Sequence, residues 1–200
     1  MSNNPIITAD QVLATIGYEG FVRSLFNRSG DPSKDFAHAI LGIATEYHEF
    51  ISAVDTVNSV EEAGDLTFYH QAALQVIQDH FGPALRTEFD AEEAATLARL
   101  EFVSSRLIRH ELNELLDIAK RWVGYPSEPK LTSGELMGRI SAVVSVILQC
   151  GPAAAQDQEK VIRVNIDKLL DRYKGLVFSA ERAVNRDVVA ERKVLENAAA

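Results

Sequence analysis

Residues 36–54, FAHAILGIATEYHEFISAV, decide the fold of this chain. Their apolar side chains recur every three or four residues, as on one face of an α-helix. These side chains are Phe36, Ile40, Ile43, Tyr47, Phe50, Ile51 and Val54. The same stretch carries Glu46 and Glu49, and residues three apart lie on one side of a helix. The stretch therefore predicts a helix that is apolar on one face and acidic on another.

A second pair of acids with the same spacing follows, in Glu62-Ala63-Gly64-Asp65. Two such helices packed face to face gather four carboxylates. Because like charges this close raise one another's pKa, a fold that brings them together normally places a cation between them. Mg²⁺ is the natural candidate, since it prefers oxygen ligands and is commonly held by carboxylates together with substrate phosphates.

The rest of the chain also shows helical spacing, without the alternation typical of strands. We expect helices at about 8–26, 33–57, 59–81, 91–122, 132–148, 156–173 and 179–196. Ser33 or Asp35 can cap the second, and Ser59 with Glu62 forms a capping box that opens the third. The predicted class is all-α, most simply a four-helix bundle with extra N- and C-terminal helices.

Composition narrows the class of protein. A hydrophobic content of 46% with 24% charged residues is typical of a soluble globular protein. A formal net charge of −9 argues against a nucleic-acid coat, so no nucleic-acid partner is expected. The single Cys150 fits a reducing compartment. Since the sequence shows no signal pattern and no long uncharged apolar run, we expect a cytoplasmic protein with no membrane partner.

The acidic segments carry a family resemblance. Residues 38–49 and 62–69 resemble the MazG-type nucleotide pyrophosphohydrolases of the all-α NTP pyrophosphatase superfamily, whose signature is E-E-x-x-E, a spacer, then E-x-x-D. Thr45 stands where the family has its first Glu. The four metal-binding positions of the family map onto Glu46, Glu49, Glu62 and Asp65.

The C-terminal part extends this resemblance, which covers about residues 37–196. Residues 165–173, NIDKLLDRY, look like the family's N-x-x-K-L-x-x-R-Y element, which holds the nucleotide and its phosphates. The matching positions are Asn165, Lys168, Arg172 and Tyr173. Residues 185–187, Asn-Arg-Asp, with Glu191 and Arg192, are similar to the tail of many phage-borne relatives.

A second pair of segments that resembles the two acidic helices follows later in the sequence. Residues 111–120 resemble the first acidic helix, with Glu111 and Glu114 at its acidic positions, and residues 135–140 align with residues 61–66. The alignment places Leu136 and Arg139 where Glu62 and Asp65 stand. Neither side chain ligates Mg²⁺, so this copy should not bind metal in the same way. Glu111 and Glu114 are then relic carboxylates or a secondary site.

These observations predict a domain organisation. We expect an N-terminal helical arm at 1–32 and a MazG-like domain at 33–200, divided into a metal-binding half at 33–89 and a degenerate half at 90–200. The family usually pairs as dimers whose sites draw on both subunits. The resemblance thus implies a fused pseudo-dimer, and a homodimer as the oligomer.

The resemblance implies a Mg²⁺-dependent pyrophosphohydrolase, with Mn²⁺ as a possible substitute, that converts a nucleoside or deoxynucleoside triphosphate to the monophosphate and pyrophosphate. Glu49 is the residue expected to orient the attacking water, while Lys168 and Arg172 grip phosphate oxygens. A nucleotide-binding regulator without catalysis and a helical interaction module are the alternatives.

Single residues also have simpler interpretations. Glu62 can serve only as the cap partner of Ser59, and Lys168 and Arg172 can pair with Asp167 and Asp171 on an exposed face. The run 185–192 is then a solvated helix face or an oligomer contact. Trp122 either packs in the core or stacks on a base, and Cys150 is expected to be buried.

Overall fold

The computed structural model of the chain describes residues 7–100, 105–125 and 128–199, and no strand occurs in these ranges. The all-α prediction is confirmed; the MazG-type bundle and the pseudo-dimer stay predictions. The helices are α1 (Ala9–Thr15), α2 (Gly17–Leu25), α3 (Pro32–Ser52), α4 (Thr56–Phe81), α5 (Arg86–Arg99), α6 (Ser105–Gly124), α7 (Ser133–Gln149), α8 (Ala153–Gln156), α9 (Gln158–Tyr173), α10 (Ala180–Val184) and α11 (Val188–Ala199).

The caps of the two acidic helices differ from the prediction. Asp31 caps α3 by accepting a hydrogen bond from the Ser33 amide, with Pro32 at the first helical position. Asp55 caps α4 by accepting from the Asn58 amide. The predicted capping box at Ser59 is therefore wrong, since Ser59 lies inside the helix and donates its hydroxyl to the Asp55 carbonyl.

Two of the expected helices are divided. In place of the helix predicted at 91–122, the described residues contain α5, which ends at Arg99 and packs on α7, and α6, which is described from Ser105 and packs mainly on α3. Residues 101–104 lie outside the described ranges. The helix predicted at 179–196 is α10 and α11. They are separated at residues 185–187, where the Asp187 side chain accepts from the Ala190 amide and opens α11.

The helices pack around the pair α3 and α4. On this pair, α6 lies against α3, while α7, α9 and α11 lie against α4. The interior is filled by branched and aromatic side chains whose burial is the main favourable term in folding. The largest include Phe36, Ile40, Ile43, Leu66, Ile77, Leu115, Leu136 and Phe21.

Close helix approach depends on glycine at two positions. A Cβ at Gly42 of α3 would lie 2.3 Å from ring atoms of Tyr69 on α4. A Cβ at Gly138 of α7 would lie 2.4 Å from the Phe89 carbonyl oxygen on α5. Only glycine leaves room for these contacts, which fix α4 against α3 and α7 against α5.

The N-terminal helices are part of the core. Phe21, Val22 and Leu25 of α2 are buried, and Gln75 of α4 donates a hydrogen bond of 2.8 Å to the Glu19 carbonyl. Within the arm predicted at 1–32, the described residues 7–32 thus pack against the predicted metal-binding half, and residues 1–6 lie outside the described ranges. Among the helices of the described ranges, none combines the length and apolar character needed to cross a membrane.

Candidate functional site

Three of the four predicted metal ligands lie together. Glu46 and Glu49 of α3 and Glu62 of α4 each offer a carboxylate oxygen, and these oxygens lie within 4.8 Å of one another. We call these three residues the acid cluster. It forms because α3 and α4 are joined by only residues 53–55, so that their acidic faces meet.

The carboxylates of the acid cluster are partly buried and repel one another. Burial raises the pKa of Glu46 to about 9, and repulsion from Asp65, Glu49 and Glu62 adds to the shift. Burial likewise raises the pKa of Glu62 to about 7, followed by repulsion from neighbouring acids. Both carboxyls hold protons at a pH where an ordinary glutamate is ionised, because burial and the neighbouring acids outweigh the charge of Lys168, which lowers the pKa of Glu62.

The donor set fits a hard divalent cation. Carboxylate oxygens are the ligands that Mg²⁺ and Mn²⁺ prefer. Ligands on opposite sides of one Mg²⁺ stand about 4.2 Å apart, given bond lengths of about 2.1 Å. The carboxylate oxygens of the acid cluster lie within 4.8 Å of one another, a range that is compatible with three ligands around one such ion.

Asp65, the fourth predicted ligand, is engaged elsewhere. Its carboxylate accepts hydrogen bonds of 2.6 Å from the Lys168 ammonium and 2.8 Å from the Asn165 amide. Lys168 is completely buried and also lies 3.4 Å from Glu61. The alternative in which Lys168 pairs with Asp167 on an exposed face is therefore wrong.

Asn165 is held in place from two further sides. The Tyr18 hydroxyl donates to its side-chain oxygen at 3.3 Å, and a Cβ at Gly64 would lie 2.9 Å from the Asn165 Cβ. The absence of a side chain at Gly64 thus allows α9 to bring Asn165 and Lys168 up to Asp65. Neither of these two side chains lines the main cavity described next. They instead hold the Asp65 carboxylate in place through their hydrogen bonds.

A cavity of about 370 Å³, here called the main cavity, opens beside these acids. Glu46 and Asp65 line it, together with Arg172, Tyr173 and Arg186. The remaining wall is largely aromatic and apolar: Leu25, Phe26, His38, Phe68, Tyr69, Leu169, Phe178 and Ala183, with Asn27. Negative groups, positive groups and flat apolar rings therefore share one cavity.

Arg172, a predicted phosphate ligand, contacts a residue of the C-terminal helix. Its Nε and Nη2 donate to the two carboxylate oxygens of Glu191 at 2.6 and 2.8 Å. Burial lowers the pKa of Arg172, but the hydrogen bonds and charge of Glu191 outweigh it and keep this pKa above its usual value. The alternative pairing of Arg172 with Asp171 is wrong, since Asp171 pairs with Lys174.

The chain matches no family model, no curated protein and no solved structure. The MazG-type resemblance consists of the motifs quoted above, so membership of that family stays a prediction. The acid cluster and the main cavity are the features of the structure that bear on function.

The residues of the predicted second copy have a different chemistry. Glu111 is buried and accepts hydrogen bonds of 2.9 and 2.8 Å from Arg139 and one of 3.3 Å from Arg99. Glu114 is exposed. In the described part of the chain, the acids with metal-ligand spacing are those of the acid cluster. The predicted second copy has no such group of acids among its described residues.

Several residues of the main cavity were missed or misjudged from the sequence. Phe26 and His38 stack with ring centroids 4.8 Å apart. Phe26 lies outside the quoted motifs, and His38 begins the segment 38–49 without matching a position of its signature. Arg186, which lines the main cavity, and the buried Glu191, which pairs with it, belong to the run 185–192. Residues 185–189 are exposed, as expected of a solvated face, whereas Glu191 is not; the oligomer contact stays a prediction. The Asn-Arg-Asp motif at 185–187 was the available signal.

Neither Trp122 nor Cys150 lines the main cavity. Trp122 packs in the core, with ring centroids 5.3 Å from both Phe36 and Phe81, and so has no contact with the main cavity. Cys150 is exposed rather than buried, because it follows the last turn of α7 as the C-cap.

Proposed function

We propose that this chain is a Mg²⁺-dependent nucleoside triphosphate pyrophosphohydrolase, which converts a nucleoside or deoxynucleoside triphosphate and water to the monophosphate and pyrophosphate. One observation carries the proposal: the acid cluster reaches the main cavity through Glu46, and the same cavity carries Arg172 and Arg186. A substrate with a cation-neutralised polyphosphate and an aromatic base matches this combination of groups.

The charges and shapes of the side chains suggest a separate role for each group of residues. Mg²⁺ or Mn²⁺ held by Glu46, Glu49 and Glu62, with Asp65 nearby, would offset the charge of the triphosphate and of the departing pyrophosphate. Arg172 and Arg186 each present a planar fork that matches phosphate oxygens. Tyr69, Tyr173 and Phe178 supply flat surfaces on which a base can stack.

Glu49 is the residue proposed to orient and activate the attacking water. It is the exposed member of the acid cluster, whereas Glu46 and Glu62 are partly or largely buried. An exposed carboxylate is accessible to solvent and stays able to accept a proton from water as that water attacks phosphorus. Glu46 and Glu62, together with Glu49 itself, would hold the cation.

The test is release of pyrophosphate from a panel of common and modified triphosphates with Mg²⁺ or Mn²⁺. Glu49→Gln should lower turnover by about 10²-fold or more while leaving helicity intact. Glu114→Gln, at the equivalent position of the second copy, is the matched control and should keep full activity. A wild-type chain that releases no pyrophosphate from any substrate, or an unimpaired Glu49→Gln variant, would overturn the proposal.

A second candidate, a nucleotide-binding regulator without catalysis, is favoured by two observations. The Lys168 ammonium, 2.6 Å from Asp65, already neutralises one of the four predicted ligands. Thr45 donates its hydroxyl to the carbonyls of Leu41 and Gly42 in its own helix, so it does not support the acids as a glutamate would. A rise in melting temperature with Mg²⁺ and nucleotide, without pyrophosphate release, would select this function.

A further inference from the structure

Glu191 is a buried carboxylate shared by two arginines. Only 3% of the residue is exposed. Besides the two hydrogen bonds from Arg172, its Oε2 accepts from Nε and Nη2 of Arg186 at 3.2 and 3.0 Å. A charged group this buried is normally retained only where partners satisfy it, and here two guanidinium groups do so.

Both arginines use the same edge for this contact. Each donates through Nε and Nη2, and in the described ranges Nη1 of neither arginine has a hydrogen bond or ion pair. Arg172 and Arg186 also both line the main cavity. Since a guanidinium has five N–H donors, each arginine keeps donors for a ligand after binding Glu191.

The charge balance of the group favours an anion. Two guanidinium cations share one carboxylate, that of Glu191. The nearby acids Glu61, 3.7 Å from Arg186, and Asp65, whose charge also acts on Arg172, are both paired with Lys168. Two neighbouring guanidinium groups repel each other, and the carboxylate of Glu191 between them is what holds them together. Paired, rigidly held forks of this kind suit the oxygens of a phosphate chain.

We infer that Arg172, Arg186 and Glu191 form a guanidinium clamp that binds the phosphate chain of an oligophosphate ligand in the main cavity, with Glu191 as its positioning residue. The inference rests on the proposed function, because it assigns the clamp to the phosphate end of that substrate. It makes α11 part of the site, and it adds Arg186 to the phosphate contacts.

The same helix provides a matched control. Arg192 follows Glu191 directly and fixes α11 to the start of α4, through hydrogen bonds of 2.9 Å to both Asp55 and Asn58. Leu195 is also buried. Arg192→Ala therefore loosens the attachment of α11 without touching the guanidinium clamp, so it separates a general structural effect from loss of the clamp.

The binding experiment is calorimetric titration of inorganic tripolyphosphate into the metal-free full chain. Wild type should bind, whereas Arg186→Gln and Glu191→Gln should bind about tenfold more weakly or worse, and Arg192→Ala within about twofold of wild type. Arg186 is partly exposed, so Arg186→Gln is the variant that keeps the test valid if Glu191→Gln does not fold. No binding to wild type, or unchanged binding to Arg186→Gln, would overturn the clamp.

Kinetics of pyrophosphate release then separate the two proposals. In Glu191→Gln and Arg186→Gln we expect KM to rise about tenfold with kcat within about threefold, since the clamp contacts phosphates before and during the reaction. Partial unfolding would lower apparent kcat and leave KM unchanged. Turnover with unchanged KM in both variants overturns the clamp alone. Absence of turnover, with the predicted differences in tripolyphosphate binding, overturns the hydrolase proposal alone.

Discussion

Arg139 donates hydrogen bonds of 2.9 and 2.8 Å to one carboxylate oxygen of Glu111. In the alignment of the two copies, Glu111 corresponds to Glu46 and Arg139 to Asp65. Glu46 therefore lies among other acids, whereas Glu111 has a cation beside it. The guanidinium of Arg139 explains physically how Glu111 stays buried and charged without a metal.

Arg139→Ala should lower the free energy of unfolding by about 3–5 kcal/mol, because it leaves the buried Glu111 without its main partner. Urea unfolding followed by circular dichroism measures this. Replacing both Arg139 and Glu111 by Leu should recover most of the loss, since no charge is then left unpaired. Glu114→Gln, at an exposed acid of the same helix, is the control, and a similar loss there would contradict the assignment.

The metal-free chain should lose stability as pH rises between about 4.5 and 9. Glu46 has its pKa raised from 4.5 to about 9, so the native state keeps a proton that the unfolded chain releases. The native state then binds more protons within this window, and the free energy of unfolding falls with pH. Melting temperatures across the window should fall less steeply for Glu46→Gln; equal slopes for this variant and wild type would refute the prediction.

Mg²⁺ should bind more tightly as pH rises from 7 to 9. Binding to the acid cluster requires the proton on Glu46 to leave, so metal and proton compete. Titration calorimetry in two buffers of different ionisation enthalpy should show proton release on binding near pH 7, and much less release in Glu46→Gln. An affinity for Mg²⁺ that does not change with pH would count against a site at these carboxylates.

Lys168→Met should destabilise the metal-free chain by about 3–5 kcal/mol, because Asp65 loses its buried partner while Glu46 and Glu62 remain close. Added Mg²⁺ should raise the melting temperature of this variant more than that of wild type, since Asp65 becomes free to act as a ligand. Lys120→Met, which removes an exposed ammonium, should change stability by less than about 1 kcal/mol. A stable Lys168→Met chain would remove the supporting role given to Lys168.

Gly42→Ala should displace Tyr69, since the added Cβ would lie 2.3 Å from ring atoms of that side chain. We expect a loss of about 1–3 kcal/mol in the free energy of unfolding, together with weaker nucleotide binding, because Tyr69 lines the main cavity. Gly124→Ala, where no neighbouring atom lies within 4 Å, should be neutral or slightly stabilising. Equal stability of the two variants would show that Tyr69 can move without cost.

Local spacing was enough to predict helix α3 and the placing of Glu46 and Glu49 on one side of it, because both depend on residues three or four apart. Glu62 joins them from α4, which required the two helices to pack face to face. The cap of α4 could not be chosen locally, since Asp55 and Ser59 are both good capping residues and only packing decides between them. The contact between Arg172 and Glu191 required the position of α11, which depends on a break at residues 185–187. Pairing over distances of this kind leaves no periodic signal in the sequence.

Asp65 receives its two hydrogen-bond partners, Asn165 and Lys168, from positions 100 and 103 residues further along the chain. During translation these partners leave the ribosome about 5–20 s after Asp65, at elongation rates of about 5–20 residues per second. Throughout that interval the nascent α4 carries an acid that its final surroundings have not yet neutralised. The contacts of Asp65 with Asn165 and Lys168 therefore form only after α9 has emerged, so the surroundings of this acid are completed late in synthesis.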